Sequence, residues 1–156
     1  MAKTYTVERS ISIDADPADV YAQIADLRNW VTWSPWEGLD PELERTYTGA
    51  ESGTGASYAW SGNKKAGAGS MTIIEATEPS DVRIDLEFEK PFPARNDTRF
   101  RIEPDGLGST VTWTMKGALN PIMRVVQVVY PMDKMIGPDF EKGLAQLKAH
   151  LEPGQQ

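Results

Sequence analysis

The sequence predicts an α+β fold: a curved antiparallel sheet of about seven strands wrapped round a long C-terminal helix, with two short helices after the first strand. Three observations carry this expectation. An alternating segment at residues 5–13 runs directly into a short helical stretch. A series of alternating segments then fills residues 41 to about 118. Beyond them the apolar residues switch to helical spacing, from Ile122 to Leu151.

The elements follow in order. "YTVERSISI" places Tyr5, Val7, Ile11 and Ile13 on one parity, which is a strand with one buried face. Arg9 breaks that apolar parity. In "DADPADVYAQIADLRNW", Asp16 stands as N-cap and Pro17 at the first helical position, while Val20, Tyr21, Ile24 and Leu27 keep helical spacing. A second short helix or turn starts after Asp26 and ends before Pro35. The strands expected next are "LERTYTG", "GASYAWSGN", "GAGSMTIIEATEP", "VRIDLEFEK", "DTRFRIEP" and "STVTWTMKG". Their separators "ESGTG", "SGNKKAG", "EPSD" and "PDGLG" are turn chemistry.

The C-terminal part carries apolar residues at Ile122, Val126, Val129, Ile136, Phe140, Leu144, Leu147 and Leu151. Pro131 and the "GPD" at 137–139 interrupt it, since proline removes a helical hydrogen bond. The expectation is a first helical segment, a break near 131, and a final helix from about Pro138 to Leu151. Residues 1–152 read as one domain and 153–156 as a frayed tail.

Bulk chemistry narrows the function. A length of 156 residues suits a chain that buries its own core. The net charge of −7 argues against nucleic acid and against adhesion to anionic membranes. Cysteine is absent, which excludes disulfides and thiolate chemistry and fits a reducing cytoplasm. "MAKTYTVERS" has no apolar stretch of the signal-peptide kind, and no run approaches a membrane span. A single histidine, His150, rules out a zinc site built on several histidines. It reads as a solvated residue near a helix C-terminus. No nucleophile elbow, phosphate loop or metal motif is present, so neither a metal nor a cofactor is expected.

A curved sheet gripping one helix encloses a cavity unless large side chains fill it. The side chains on its walls are Tyr58, Trp60, Met71, Phe88, Phe100, Trp113 and Met115 from the sheet. Met123, Val126, Tyr130 and Met135 face them from the helix side. Methionine suits a wall that accommodates variable apolar shapes. Each of these residues reads equally as packed core. The tryptophan-rich "WVTWSPWEG" leaves the same two readings open, with Trp33 and Trp36 either plugging one end of the space or touching a ligand.

Polar candidates are fewer. Arg9 on the apolar parity either escapes at a sheet edge or is buried, and a buried cation requires a partner. Glu75 shares the parity of Met71 and Ile73, and Asp133 lies on the helix's apolar stripe. Each is a candidate partner for Arg9, a pocket acid, or an exposed residue at an element's end. A cofactor-free aldol cyclisation needs a base beside a carbonyl and a donor to the enolate oxygen. Glu75 or Asp133 would be the base, and Tyr58, Tyr130 or Arg9 the donor.

The segments "VERSISIDADPADVYAQIADLRNWVTWSPW", "WSGNKKAGAGSMTI", "PFPARNDTRFRIEPDGLGSTVTW" and "MDKMIGPDFEKGLAQLK" together resemble the SRPBCC superfamily. Its helix-grip fold is shared by steroidogenic lipid-transfer domains and birch-pollen-type allergens. The nearer resemblance is to the polyketide cyclase/dehydrase branch, and it covers nearly the whole chain. Such a resemblance specifies fold more strongly than function, because the superfamily spans carriers, sensors and cyclases. It implies binding of a small apolar or aromatic molecule, lipid- or polyketide-like, between sheet and helix. The alternative is a cofactor-free polyketide cyclase/dehydrase-type enzyme. A third reading is a protein-binding module like the heat-shock ATPase activators of the same superfamily.

Overall fold

The computed structural model describes residues 4–34, 40, 42–64, 67–90, 94–106, 108–118 and 131–152. Seven strands form one antiparallel sheet: β1 (Thr4–Ile13), β2 (Glu44–Gly49), β3 (Ala56–Ser61), β4 (Ala68–Thr77), β5 (Asp81–Lys90), β6 (Ala94–Asp105) and β7 (Gly108–Ala118). Their order across the sheet is β1-β7-β6-β5-β4-β3-β2. Helix α1 (Pro17–Ala25) and a 3₁₀ segment (Leu27–Thr32) follow β1, and α2 (Met132–Leu151) ends the described chain. This is the α+β helix-grip arrangement that the alternating segments predict.

Helix α1 begins as expected, with Asp16 at the N-cap and Pro17 next. The Asp16 side chain makes no capping bond; its carbonyl instead receives the amides of Asp19 and Val20, at 3.0 and 3.1 Å. The C-terminus is where this short helix is secured. A helix leaves its last four carbonyls without intrahelical donors. Here all four are met from outside: Ala22 by Asn29 Nδ2 (3.0 Å), Gln23 by Trp33 Nε1 (3.0 Å), Ile24 by Trp30 Nε1 (2.9 Å) and Ala25 by the Gly53 amide (3.0 Å). Two of the three clustered indoles are therefore helix caps on their polar side.

Their rings form the core. Trp30 and Trp33 pack at 4.5 Å between centroids, and both meet Phe100 and Trp113 edge-on. Phe100 stacks on Trp113 at 4.8 Å, and Trp113 stacks on Phe140 of α2 at 4.0 Å with the rings nearly parallel. Five rings thus fill the space between sheet and helices at this end, and all five are buried. Aromatic contacts of this kind add about 0.5–1.5 kcal/mol per pair beyond area burial.

Helix α2 differs from expectation at its start. It begins at Met132, directly after Pro131, and keeps Pro138 in its interior rather than starting there. The physical reason lies in β1. Arg9 reaches across Gly137 and binds Asp133 on one side of the proline and Glu141 on the other. The Asp133 contact is bidentate, at 2.8 and 3.0 Å, and the Glu141 contact is 3.0 Å. The turn that proline weakens is therefore spanned by a clamp. At the far end Lys148 Nζ donates to the Ser12 carbonyl (2.9 Å) and to Glu152 (2.8 Å), and Glu152 accepts the Asp14 amide. The helical segment expected before Pro131 lies outside the described residues.

The sheet's outer face carries charges of both signs. Arg83 pairs with Asp97, Arg95 with Asp85 and Glu87, and Arg99 with Asp81. This is the solvated face that alternation predicts.

Candidate ligand-binding site

The concave face of the sheet is built as rows of side chains running from strand to strand. One row comprises Arg9, Trp113, Phe100 and Val82. Next to it run Val7, Met115, Thr98, Ile84 and Ile73. A third row crosses all seven strands: Tyr5, Gly117, Asn96, Leu86, Met71, Tyr58 and Tyr47. A fourth holds Ala94, Phe88, Gly69 and Trp60.

The first row is closed by the five-ring core, so Trp33, Phe100 and Trp113 act as packing there. The third and fourth rows are different in character. Tyr58 stacks between Tyr47 (5.1 Å) and Trp60 (5.9 Å), and Trp60 meets Phe88 edge-on at 5.8 Å. Met71 and Leu86 fill the middle of the floor. Two glycines let rings lie down on the sheet. A Cβ on Gly69 would meet the Trp60 ring at 2.7 Å, and one on Gly117 would meet the Tyr5 ring and hydroxyl at 2.6–2.7 Å. Each ring occupies the place that a side chain would take.

Within this apolar floor sits a polar line. Thr98 and Asn96 are buried, at 3% and 6% exposure. The Thr98 hydroxyl donates to Asn96 Oδ1 at 3.0 Å. The Asn96 side chain in turn hydrogen-bonds Tyr5, whose hydroxyl lies over Gly117 between them. Burial pushes the Tyr5 phenol above its ordinary range, and the Asn96 bond offsets part of that rise. A buried polar group costs free energy unless satisfied, so a polar line on an apolar floor needs a reason.

The other sequence candidates fall elsewhere. Met115 is buried in the second row, beside Thr98. Met135 is exposed on α2. Arg9 and Asp133 meet each other, at a half-buried and an exposed position. The Arg9 guanidinium holds the Asp133 carboxyl below the usual carboxylate range, and the two acids hold Arg9 more firmly protonated. Glu75 requires a correction. Its parity with Met71 and Ile73 is broken by a bulge between Ile73 and Glu75. The extra residue turns Glu75 to pair with Arg83 on the outer face, where it is exposed. Trp36, Met123, Val126 and Tyr130 lie outside the described residues. Among the described residues no group of three or more potential ligands is arranged to hold a metal ion, and no helix is long and apolar enough to cross a membrane.

Sequence reading passed over Tyr5, Leu86, Asn96 and Thr98. Thr98 shares the parity of Phe100 and Ile102, and Asn96 precedes it by two. Polar residues on an apolar parity were the available signal, as at Arg9. A separate shallow groove of about 440 Å³ opens between the 3₁₀ segment and the last turns of α2, lined by Val31, Thr32, Ser34, Gln146 and His150 among others. His150 is exposed there, in the last turn of the helix.

A family model described as polyketide cyclase/dehydrase and lipid transport matches residues 4–152. No curated protein matches significantly. Solved structures do. Protein TTHA0849 from Thermus thermophilus is similar at 18% identity and a TM-score of 0.67, covering 97% of this chain and 99% of its own. The Aha1 dimer from Colwellia psychrerythraea is similar at 14% identity and a TM-score of 0.64, covering 97% and 98%. DynU16, a protein in the dynemicin biosynthetic locus, is similar at 15% identity and a TM-score of 0.64, covering 96% of this chain but 48% of its own. At these identities the likeness concerns the fold alone.

Proposed function

The chain belongs to the polyketide cyclase/dehydrase and lipid-transport family, and from that premise we propose that it binds a small apolar or aromatic molecule between the concave sheet face and the C-terminal helix. One observation carries the reading. The third and fourth rows, with Thr98 of the second beside them, join an apolar floor of Met71, Leu86, Phe88 and Trp60 to the buried polar line of Thr98 and Asn96. Apolar walls with a few placed polar groups are what small-molecule sites present. A plain core is better served by apolar side chains, as the five-ring end of the same sheet illustrates.

Glu75 and Asp133 do not favour the cyclase alternative. One stands on the outer face, and the other is engaged by Arg9.

The test is native mass spectrometry of protein purified from its own source, followed by thermal unfolding with apolar aromatic ligands. A copurifying small molecule, or ligand-dependent stabilisation that Met71→Trp abolishes by filling the floor, is the expected outcome. Stabilisation that survives Met71→Trp and a Leu86→Trp variant would place the ligand elsewhere and overturn the reading.

A further inference from the structure

Hydrogen-bond accounting along the polar line gives it a direction. Asn96 Oδ1 accepts from Thr98 at 3.0 Å. The Asn96 bond favours the ionised form of the Tyr5 phenol, which is the effect of an N–H given to the phenolic oxygen, so the Tyr5 oxygen accepts. The phenolic proton of Tyr5 then remains to donate at the end of the line. Successive bonds of the same sense polarise one another in a low-dielectric setting, which strengthens the terminal donor. The ring is pinned flat over Gly117, with the hydroxyl turned along the row toward Asn96 and the apolar floor beyond it.

Charge narrows what such a donor receives. Among the described residues, the cation that β1 itself brings to this face, Arg9, is two rows from Tyr5, and Asp133, Glu141 and the Glu8 carbonyl occupy its guanidinium. A carboxylate at Tyr5 would meet one neutral hydroxyl, and the cation that does touch this row, Arg28 over the Tyr47 ring, stands at the opposite edge of the sheet, so its desolvation there would go uncompensated. A carbonyl oxygen needs only one donor and leaves the rest of the ligand apolar.

We propose that Thr98, Asn96 and Tyr5 form a directed hydrogen-bond line whose terminal Tyr5 hydroxyl binds the carbonyl oxygen of a neutral, planar, apolar ketone- or quinone-type ligand. This rests on the ligand-binding reading above and deepens it. Tyr5 is the group that touches the ligand. Asn96 and Thr98 are positioning residues that act through it.

The experiment uses two probes of nearly the same shape, fluorene and 9-fluorenone, titrated into the full chain. Tyr5→Phe should weaken fluorenone about tenfold, the loss of one buried hydrogen bond, and fluorene less than twofold. The carbonyl stretching band of bound fluorenone should lie below its position in a hydrocarbon solvent, and return toward it in Tyr5→Phe. Thr98→Val should produce a smaller change in the same direction. The band in the unmodified protein is read without any variant, so it decides the matter even if a substitution disturbs folding. Equal weakening of both probes, or a band at its hydrocarbon position, overturns the donor assignment and leaves an apolar site standing. If neither probe binds or stabilises the protein, both the assignment and the ligand-binding reading fall.

Discussion

The indole Nε1 of Trp30 donates to the carbonyl oxygen of Ile24 at 2.9 Å, six residues back along the chain. Both partners are buried. The bond ties the 3₁₀ segment to the end of α1 while the ring serves the aromatic core. Trp30→Phe keeps most of the ring and removes the donor. It should cost about 1–3 kcal/mol, the penalty of a buried carbonyl left unmet. Urea unfolding measures this, and a loss under about 0.5 kcal/mol would show that the cap is dispensable.

The Arg9 clamp makes a conditional prediction. A Cβ on Gly137 would lie 2.1 Å from Arg9 Nη2, so alanine there must displace the guanidinium. Helix propensity alone favours alanine over glycine by about 1 kcal/mol. Gly137→Ala should therefore stabilise the protein by roughly that amount in an Arg9→Ala background, and by clearly less when Arg9 is present. A double-mutant cycle reads the coupling. Additive effects would mean that Arg9 does not hold this turn.

Asp133 gives the clamp a pH signature. Its folded-state carboxyl titrates below the usual range because Arg9 hydrogen-bonds it. The unfolded chain therefore binds more protons there in the acid range, and stability rises with pH across it. The contribution is complete above the ordinary carboxylate range and is lost as pH falls through the depressed value. Asp85, held down by Arg95, and Glu152, held down by Lys148 and the Asp14 amide, act in the same sense. Melting temperatures from pH 7 down to 3 should fall less steeply for Asp133→Asn than for the unmodified chain.

Gly69 is a sharper packing test than most glycines. A Cβ there meets the Glu87 carbonyl at 2.4 Å as well as the Trp60 ring. The carbonyl belongs to the ladder and cannot swing away. Gly69→Ala should cost about 1–3 kcal/mol as an overpacked site. The near-ultraviolet dichroism of Trp60 against Phe88 should change with it, and an unchanged spectrum and stability would refute the flat-lying ring.

Glu75→Gln is the contrasting case. Glu75 is exposed on the outer face. The substitution should change stability by no more than about 0.5 kcal/mol and leave the affinity for an apolar probe unaltered. A tenfold change in fluorenone affinity would return Glu75 to the site.

The element order was legible because each strand buries one face and so carries period-two alternation, while α2 carries a helical stripe. The need of Arg9 for a partner was legible too, because a charge on an apolar parity demands one. The inward parity of Glu75 misled for a local reason, and of the readings open to it exposure is the one found. Parity counts residues, and a bulge inserts one without leaving a composition signal. The start of α2 was misread because Pro138 signals a break to any local rule, whereas the clamp that spans it comes from Arg9, more than a hundred residues earlier.

The same division applies to the tryptophan cluster. Spacing established that Trp30 and Trp33 lie three apart on one turn, and composition established that the chain has hydrophobe enough for a core. Tertiary structure decided that these indoles cap α1 and that their rings close one end of the sheet. It also decided which inward aromatics became core and which became the floor beside Thr98, Asn96 and Tyr5. The reason is physical. Periodicity reports which face a side chain takes, a property of the local backbone, whereas rows across strands depend on register, on bulges and on two glycines that let rings lie flat. Those are relations between segments far apart in sequence, and they exist only once the sheet has closed around its helix.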